Sequence, residues 1–350
     1  MPKAGRPDRI AGSLGAFLIA PHQPAPLDHP LNPYRGGLRF VPASAPEHDA
    51  RVIDLSGQVA IVTGAGKGIG REIALAIADR GASVVVNNRA RDGRDSAGEV
   101  VDEIVAAGGA AAVERSAVES EGAGDSMVAM AIDTYGRLDM VIANAAVVER
   151  ATFANADADR FREVMEIDFM APVALTRAAL PEITRNAGRF LFVTSAAGTY
   201  GEYGVTSYAA AKGALSAFAK TLALEGRRAG VRANLLAPFA LTQMTEAHVP
   251  EEQALGLGPE LVVPAALWLL DPAGDVSGQT IVAAGNRFRA VVTGETAVVG
   301  VPGERPATDE EFASIAESLF DRDGWESYPD GMAAFLGLMA TDGDRDGGAA

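Results

Sequence analysis

From about residue 53 the chain alternates short apolar runs with longer amphipathic stretches. Residues 58–63 carry Val59, Ile61 and Val62 with little polar alternation, which predicts a strand buried on both faces of a parallel sheet. A helix is expected next, with Ile73, Ala74, Leu75, Ala76 and Ile77 in its apolar stripe. The pattern then repeats as strand 83–86, helix 98–107, strand 111–114, helix 126–135 and strand 138–143. A long amphipathic helix follows over 157–185, with interruptions expected near Pro172 and Pro181. Strand 190–194, a helix running to Arg227, strand 231–236, helix 259–270 and strand 279–283 finish the series. Strand and helix in strict alternation predict the α/β class, a doubly wound parallel sheet of Rossmann type. In such a sheet ligands bind beyond the carboxyl ends of the strands, and Asn144, Ser195 and Pro238 all fall at such ends.

The flanks read differently. Residues 1–52 gather Pro21, Pro24, Pro26, Pro30 and Pro33 and keep no helical or strand period, so an extended or disordered extension is expected. Residues 53–300 form the single folded domain in this reading. Residues 301–350 turn acidic and become an appendage with helices at 309–320 and 331–339. The irregular stretch 239–257 predicts a mobile lid.

Composition narrows the function. The chain has 350 residues and is 48% hydrophobic, enough for a full core. A net charge of −16 argues against a nucleic-acid partner, because phosphate backbones call for a basic face. The absence of cysteine removes thiolate nucleophiles, thiolate metal sites and disulfides, and the 4 histidines lack metal-ligand spacing. No apolar run reaches the roughly eighteen residues that span a bilayer, so no membrane partner is expected. Residues 11–20 loosely mimic an export signal, but they are short and interrupted by glycine; a cytoplasmic location is expected.

Two stretches carry chemistry. The first, Thr63-Gly64-Ala65-Gly66-Lys67-Gly68-Ile69-Gly70, follows a strand and opens a helix. Glycines there allow a tight turn and close approach to a pyrophosphate at the positive helix end. The next strand ends in Asn87-Asn88-Arg89, where an acidic residue would hold the ribose 2′-hydroxyl of NAD. Asn88 replaces that acid, and Arg89 and Lys67 offer cations to a 2′-phosphate, so NADP is favoured over NAD. The second stretch runs from Ser195 to Lys212. Tyr208 and Lys212 are four apart and share one helix face, where the ammonium lowers the phenol's proton affinity. Ser195, closing an apolar strand, can hydrogen-bond a substrate carbonyl.

Taken together, Thr63-Gly64-x-x-x-Gly68-x-Gly70, Ala143-Asn144-Ala145-Ala146, Ser195 and Tyr208-x-x-x-Lys212 resemble the classical short-chain dehydrogenase/reductase family over about residues 55–285. The resemblance implies an oxidoreductase that interconverts a secondary alcohol and a ketone with NADP or NAD. Tyr208 would transfer the proton, Lys212 would lower its pKa and hold the nicotinamide ribose, and Ser195 would orient the carbonyl. The glycine loop, with Asn144, Ala145, Ala146 and Pro238, would hold the cofactor. Thr194-Ser195, Leu224-Glu225-Gly226 and Val263-Pro264 are similar to the (3R)-hydroxyacyl-CoA dehydrogenase branch of multifunctional β-oxidation enzymes. A 3-hydroxyacyl thioester or a steroid-like alcohol is the implied small-molecule substrate, with Arg287 and Arg289 offered to CoA phosphates, and a homodimer or homotetramer the implied assembly.

The sequence departs from the family at Ala146, at Asp168 in place of the tetrad asparagine, and at Ala117, where an acid commonly meets the adenine. Ala146 and Asp168 motivate a competing reading as a cofactor-binding scaffold without turnover, which the intact Ser195, Tyr208 and Lys212 oppose.

Overall fold

The structure is a computed structural model that describes residues 52–90, 93–244, 256–301, 305–316 and 318–339. Its strands are β1 (Val59–Thr63), β2 (Ser83–Asn87), β3 (Ala110–Glu114) and β4 (Met140–Ala143), then β5 (Arg189–Val193), β6 (Arg232–Phe239), β7 (Thr280–Ala284) and β8 (Arg287–Val291). They form one sheet in the order β3-β2-β1-β4-β5-β6-β7-β8. All neighbours pair in parallel except β7 and β8, which are antiparallel. The order reverses between β1 and β4, which opens the crevice that doubly wound sheets use for ligands.

Helices cover both faces because successive strand side chains point to opposite sides. On one face Val62, Val84 and Ile142 pack with α1 (Gly68–Asp79), α2 (Ser96–Ala106) and α8 (Val263–Leu270). On the other, Val59, Ile61 and Phe192 pack with α3 (Ala123–Tyr135), α5 (Ala171–Arg185) and α7 (Thr206–Gly226). The set is completed by α4 (Ala158–Met165), the single turn α6 (Ala197–Tyr200), α9 (Asp309–Ile315) and α10 (Gly331–Met339).

Four local features differ from the sequence expectation. The helix expected over 157–185 is broken not at Pro181 but at Glu166–Met170, a π turn in which the Ala171 amide donates to the Glu166 carbonyl five residues back. Pro172 lies in the first turn of α5, where its missing N–H costs little. Pro181 lies inside α5 without ending it, because both Pro181 and Arg177, whose carbonyl it frees, face solvent. The strand expected to stop at Leu236 continues through Pro238, paired with Ala283, to Phe239. Finally, β8 was not expected at all. Residues 1–51 and most of the predicted lid, 245–255, lie outside the described residues.

The β5 strand deserves its own test because it delivers Ser195. Phe192 is fully buried, stacks on Phe190 at 6.0 Å and meets Phe218 edge-on at 5.8 Å. Truncation to Phe192→Ala is expected to cost about 3–5 kcal/mol of unfolding free energy, measured by urea denaturation.

Candidate active site

The glycine loop turns between β1 and α1. Gly64 and Gly68 have φ of +63° and +56°, in the left-handed region that glycine adopts without strain. A Cβ on Gly66 would lie 2.2 Å from Ser96 Oγ and 2.6 Å from Asn88 Nδ2, so only glycine lets the loop lie against the end of β2. The N-cap of α1, Lys67, makes no side-chain cap, and no acidic residue occupies the first turn. The first N–H groups of α1 are therefore available to an anion at the positive helix end, which fits a dinucleotide pyrophosphate. Ile69 and Gly70 sit in that first turn.

The loop is fixed from below by the neighbouring strand end. Thr63 Oγ1 accepts from the Asn144 amide at 3.0 Å and the Ala145 amide at 3.1 Å. Asn144 Nδ2 donates to the carbonyls of Thr63 at 2.9 Å and Gly64 at 3.2 Å. Asn144 thus supports the loop with its amide group, while Ala145 and Ala146 continue the half-buried strand exit. Pro238, also half-buried, lies at the corresponding end of β6.

Beyond β5, Ser195 Oγ accepts from the Ala197 amide at 3.1 Å, which starts α6. Gly198 on α6 presses against α7, since a Cβ there would lie 2.6 Å from the Lys212 carbonyl carbon. Thr194 Oγ1 at 3.1 Å and Ser216 Oγ at 2.8 Å both donate to the Lys212 carbonyl. Hydroxyl bonds and close glycine packing thereby hold the Ser195 strand exit against the Tyr208 helix. Thr194 and Gly198 lie in the stretch that carries the family resemblance, whereas no motif marks Ser216.

Lys212 is only 2% exposed. Its Nζ donates to the Val193 carbonyl at 3.1 Å, lies 3.3 Å from Asp168 Oδ2, and sits 5.6 Å from the Tyr208 ring centroid. Asp168, fully buried, projects from the π turn, and its Oδ1 accepts from the Val147 amide at 2.8 Å. No well-aligned donor reaches Asp168 Oδ2, so the Lys212 contact is an ion pair without good hydrogen-bond geometry. Burial pushes the Asp168 carboxyl above its ordinary pKa and outweighs the opposing pull of Lys212 and the Val147 amide. The structure thus brings Tyr208, Lys212 and Asp168 together, with Ser195 at the adjoining strand exit.

At the adenosine end, Asn88 Nδ2 donates to Ser96 Oγ at 2.8 Å. Arg89 Nη1 meets Glu119 Oε1 at 2.9 Å, and Lys67 Nζ donates to Gln243 Oε1 at 2.6 Å. Ser96 is a further polar group that sequence reading missed. Arg287 and Arg289 lie exposed on the edge strand β8. Among the described residues no cluster of histidine and carboxylate side chains could hold a metal, and no helix is long and apolar enough to cross a membrane.

The fold and these side chains define the class, a nicotinamide-dependent oxidoreductase acting on a CH–OH group. The family model described as short chain dehydrogenase matches residues 58–253, and the chain belongs to that family. Peroxisomal multifunctional enzyme type 2 of Mus musculus is 37% identical over 236 residues, 65% of this chain but 32% of the murine protein. The chain therefore spans about a third of that relative's length. The short-chain type dehydrogenase/reductase Rv0148 of Mycobacterium tuberculosis is 34% identical over 275 residues, 76% of this chain and 95% of that protein. The solved structure of 7α-hydroxysteroid dehydrogenase complexed with NADH and 7-oxo glycochenodeoxycholic acid matches with a TM-score of 0.62 at 34% identity. It covers 67% of this chain and 95% of that one.

The raised pKa of Asp168 fixes the sign of a pH effect. Above the unfolded value near 3.8 the native carboxyl keeps its proton longer than the unfolded one, so native stability falls as pH rises towards the raised value. Asp168→Asn does not titrate. The parent's stability relative to this variant is expected to decline with rising pH in that window, by at most about 1.4 kcal/mol per pH unit. Parallel urea titrations of both proteins from about pH 4.5 to 8 check this.

Proposed function

We propose that this enzyme interconverts a lipophilic secondary alcohol and its ketone, with NADP(H) preferred over NAD(H). The observation that carries the reading is the buried Lys212 ammonium beside Tyr208, at the strand ends next to an uncapped helix behind a glycine loop. The nicotinamide nucleotide, when bound, supplies or accepts the hydride. Tyr208 gives a proton to the substrate oxygen during reduction and takes it back during oxidation. Lys212 stabilises the phenolate form electrostatically. Ser195 orients the carbonyl by donating a hydrogen bond from its hydroxyl. Asp168 pairs with the Lys212 ammonium at 3.3 Å and holds it in place beside Tyr208. Thr63, Gly64, Gly66, Gly68, Ile69, Gly70, Asn144, Ala145, Ala146 and Pro238 shape the nucleotide cradle.

The substrate class rests on the site's surroundings. Phe153, Tyr200, Tyr203, Phe239 and Met244, at or beyond the carboxyl ends of β4, β5 and β6, are all substantially exposed. An apolar substrate body, such as a 3-hydroxyacyl chain or a steroid nucleus, would cover such side chains. The names of the multifunctional and hydroxysteroid relatives fit the same class. Self-association into a dimer or tetramer belongs to this reading as well. The scaffold alternative drew on Asp168, but that residue is engaged with the lysine that the chemistry requires.

The preference for NADP rests on the missing acid at Asn88 and on Arg89 and Lys67 beside it. Calorimetry is expected to give NADPH at least about tenfold tighter binding than NADH, with Arg89→Ala abolishing most of that difference. Equal or stronger NADH binding by the parent would overturn the preference. Tyr208→Phe is expected to lower kcat for a lipophilic ketone by about 10²–10⁴ while nucleotide affinity changes little, measured by steady-state kinetics and calorimetry.

A further inference from the structure

The catalytic helix α7 begins without a cap of its own. Its N-cap, Val205, makes no side-chain hydrogen bond, and no acidic residue stands in its first turn. The helix thus offers no side-chain acceptor of its own at its positive dipole end, just where Tyr208 is carried. A carboxylate reaches this turn from another segment. Glu149, on the loop leaving β4, accepts from Ser207 Oγ at 3.3 Å, and Ser207 is 2% exposed. The other carboxylate oxygen of Glu149 accepts from the Asp157 amide at 3.0 Å, and Asp157 in turn caps α4 through the amides of Asp159 and Arg160. Two residues further on, Ala151 forms an isolated parallel bridge with Val205.

We infer that Glu149 is a positioning residue: its carboxylate, supplied from the β4 loop, caps the positive end of α7 electrostatically and through the Ser207 hydroxyl rather than through an α7 amide, and so fixes the first turn and the angle at which Tyr208 meets substrate. One carboxylate ties the strand exit beside the nicotinamide side, the start of α4 and the start of α7 into one body. The Val147 amide, bound by Asp168, anchors the same loop two residues earlier. Glu149 touches no reacting atom in this scheme. Its effect passes through Ser207 to the neighbouring Tyr208.

The inference rests on Tyr208 as the proton-transferring group, so the test reads geometry and rate separately. Amide hydrogen exchange of the unliganded full chain follows the Ala209 amide, which donates to the Val205 carbonyl at 2.8 Å and closes the first turn. Glu149→Ala is expected to speed exchange there at least tenfold, with the middle of α7, around Leu215 to Ala219, unchanged. Kinetics on the ketone that the parent reduces fastest should then show kcat lowered at least tenfold and nucleotide affinity within twofold. Glu149→Gln, which keeps one acceptor for Ser207, should recover most of the rate, and Glu149→Ala/Ser207→Ala should be no slower than Glu149→Ala alone. Unchanged exchange at Ala209 overturns the cap. Multiplicative losses in the double variant overturn the route through Ser207. A faster-exchanging first turn in a chain that reduces no ketone leaves the cap standing and overturns the catalytic reading instead.

Discussion

A single desolvated ammonium organises the catalytic end of this molecule. Removing a charge of this size from water costs several kcal/mol unless partners replace the lost solvation. Lys212 is almost fully buried, and its compensation comes from three places: a main-chain carbonyl at the end of β5, a carboxylate from the π turn, and the face of the Tyr208 ring. Each partner belongs to a different piece of local structure, so the position of the charge dictates how those pieces meet. The π turn makes sense in this light. Its extra residue rotates Asp168 inward from a helix that would otherwise point the carboxyl elsewhere, and such wide turns gather at functional sites. Burial likewise penalises the Asp168 charge and pushes its pKa up, and the Lys212 ammonium 3.3 Å away opposes that shift.

The cofactor side follows another logic, in which backbone groups face the ligand and side chains work behind them. Thr63 and Asn144 are polar residues in the cofactor motif, yet their hydrogen bonds run to the strand exits and to the loop carbonyls. Glycine fills the positions where loop, β2 and β4 come within contact distance, leaving the amides of α1 to face outward. A rigid cradle of amides suits an anion whose charge is constant. An adjustable lysine–tyrosine pair suits a proton that must come and go.

How much of this was legible follows from what a sequence can encode locally. The strands β1, β2, β4, β5 and β6 are buried along most of their length, so they appear as apolar runs that need no partner to be recognised. The glycine loop and the Tyr208-x-x-x-Lys212 spacing depend only on short-range geometry, and both stand where the spacing places them. β8 failed that test because Arg287, Phe288, Arg289 and Ala290 are all exposed on an edge strand and leave no core signature. The π turn failed because no residue within it marks it, and the partner that its Asp168 meets, Lys212, lies forty-four residues later. Proline misled in α5 because its cost depends on whether the freed carbonyl meets water, which the chain alone does not tell. Glu149 and Ser96 lie beyond sequence reading for the same reason, since each acts on a segment distant along the chain.

The charge arrangement around the adenosine end explains how a strongly acidic protein can still receive a phosphorylated nucleotide. With a net charge of −16 the long-range field repels anions, so affinity must be local. The local cations are present but occupied, Arg89 by Glu119, Arg115 by Asp95 and Lys67 by the side-chain oxygen of Gln243. The Arg89–Glu119 pair is partly exposed, 37% and 29% at its two side chains, and pairs of this kind contribute no more than about 1 kcal/mol. A 2′-phosphate, carrying more charge and more acceptor oxygens than one carboxylate, can therefore take over the Arg89 guanidinium at little cost to the fold. On the proposed NADP preference, specificity for the 2′-phosphate would arise from exchange of one anion for another at the Arg89 guanidinium, with salt weakening both contacts.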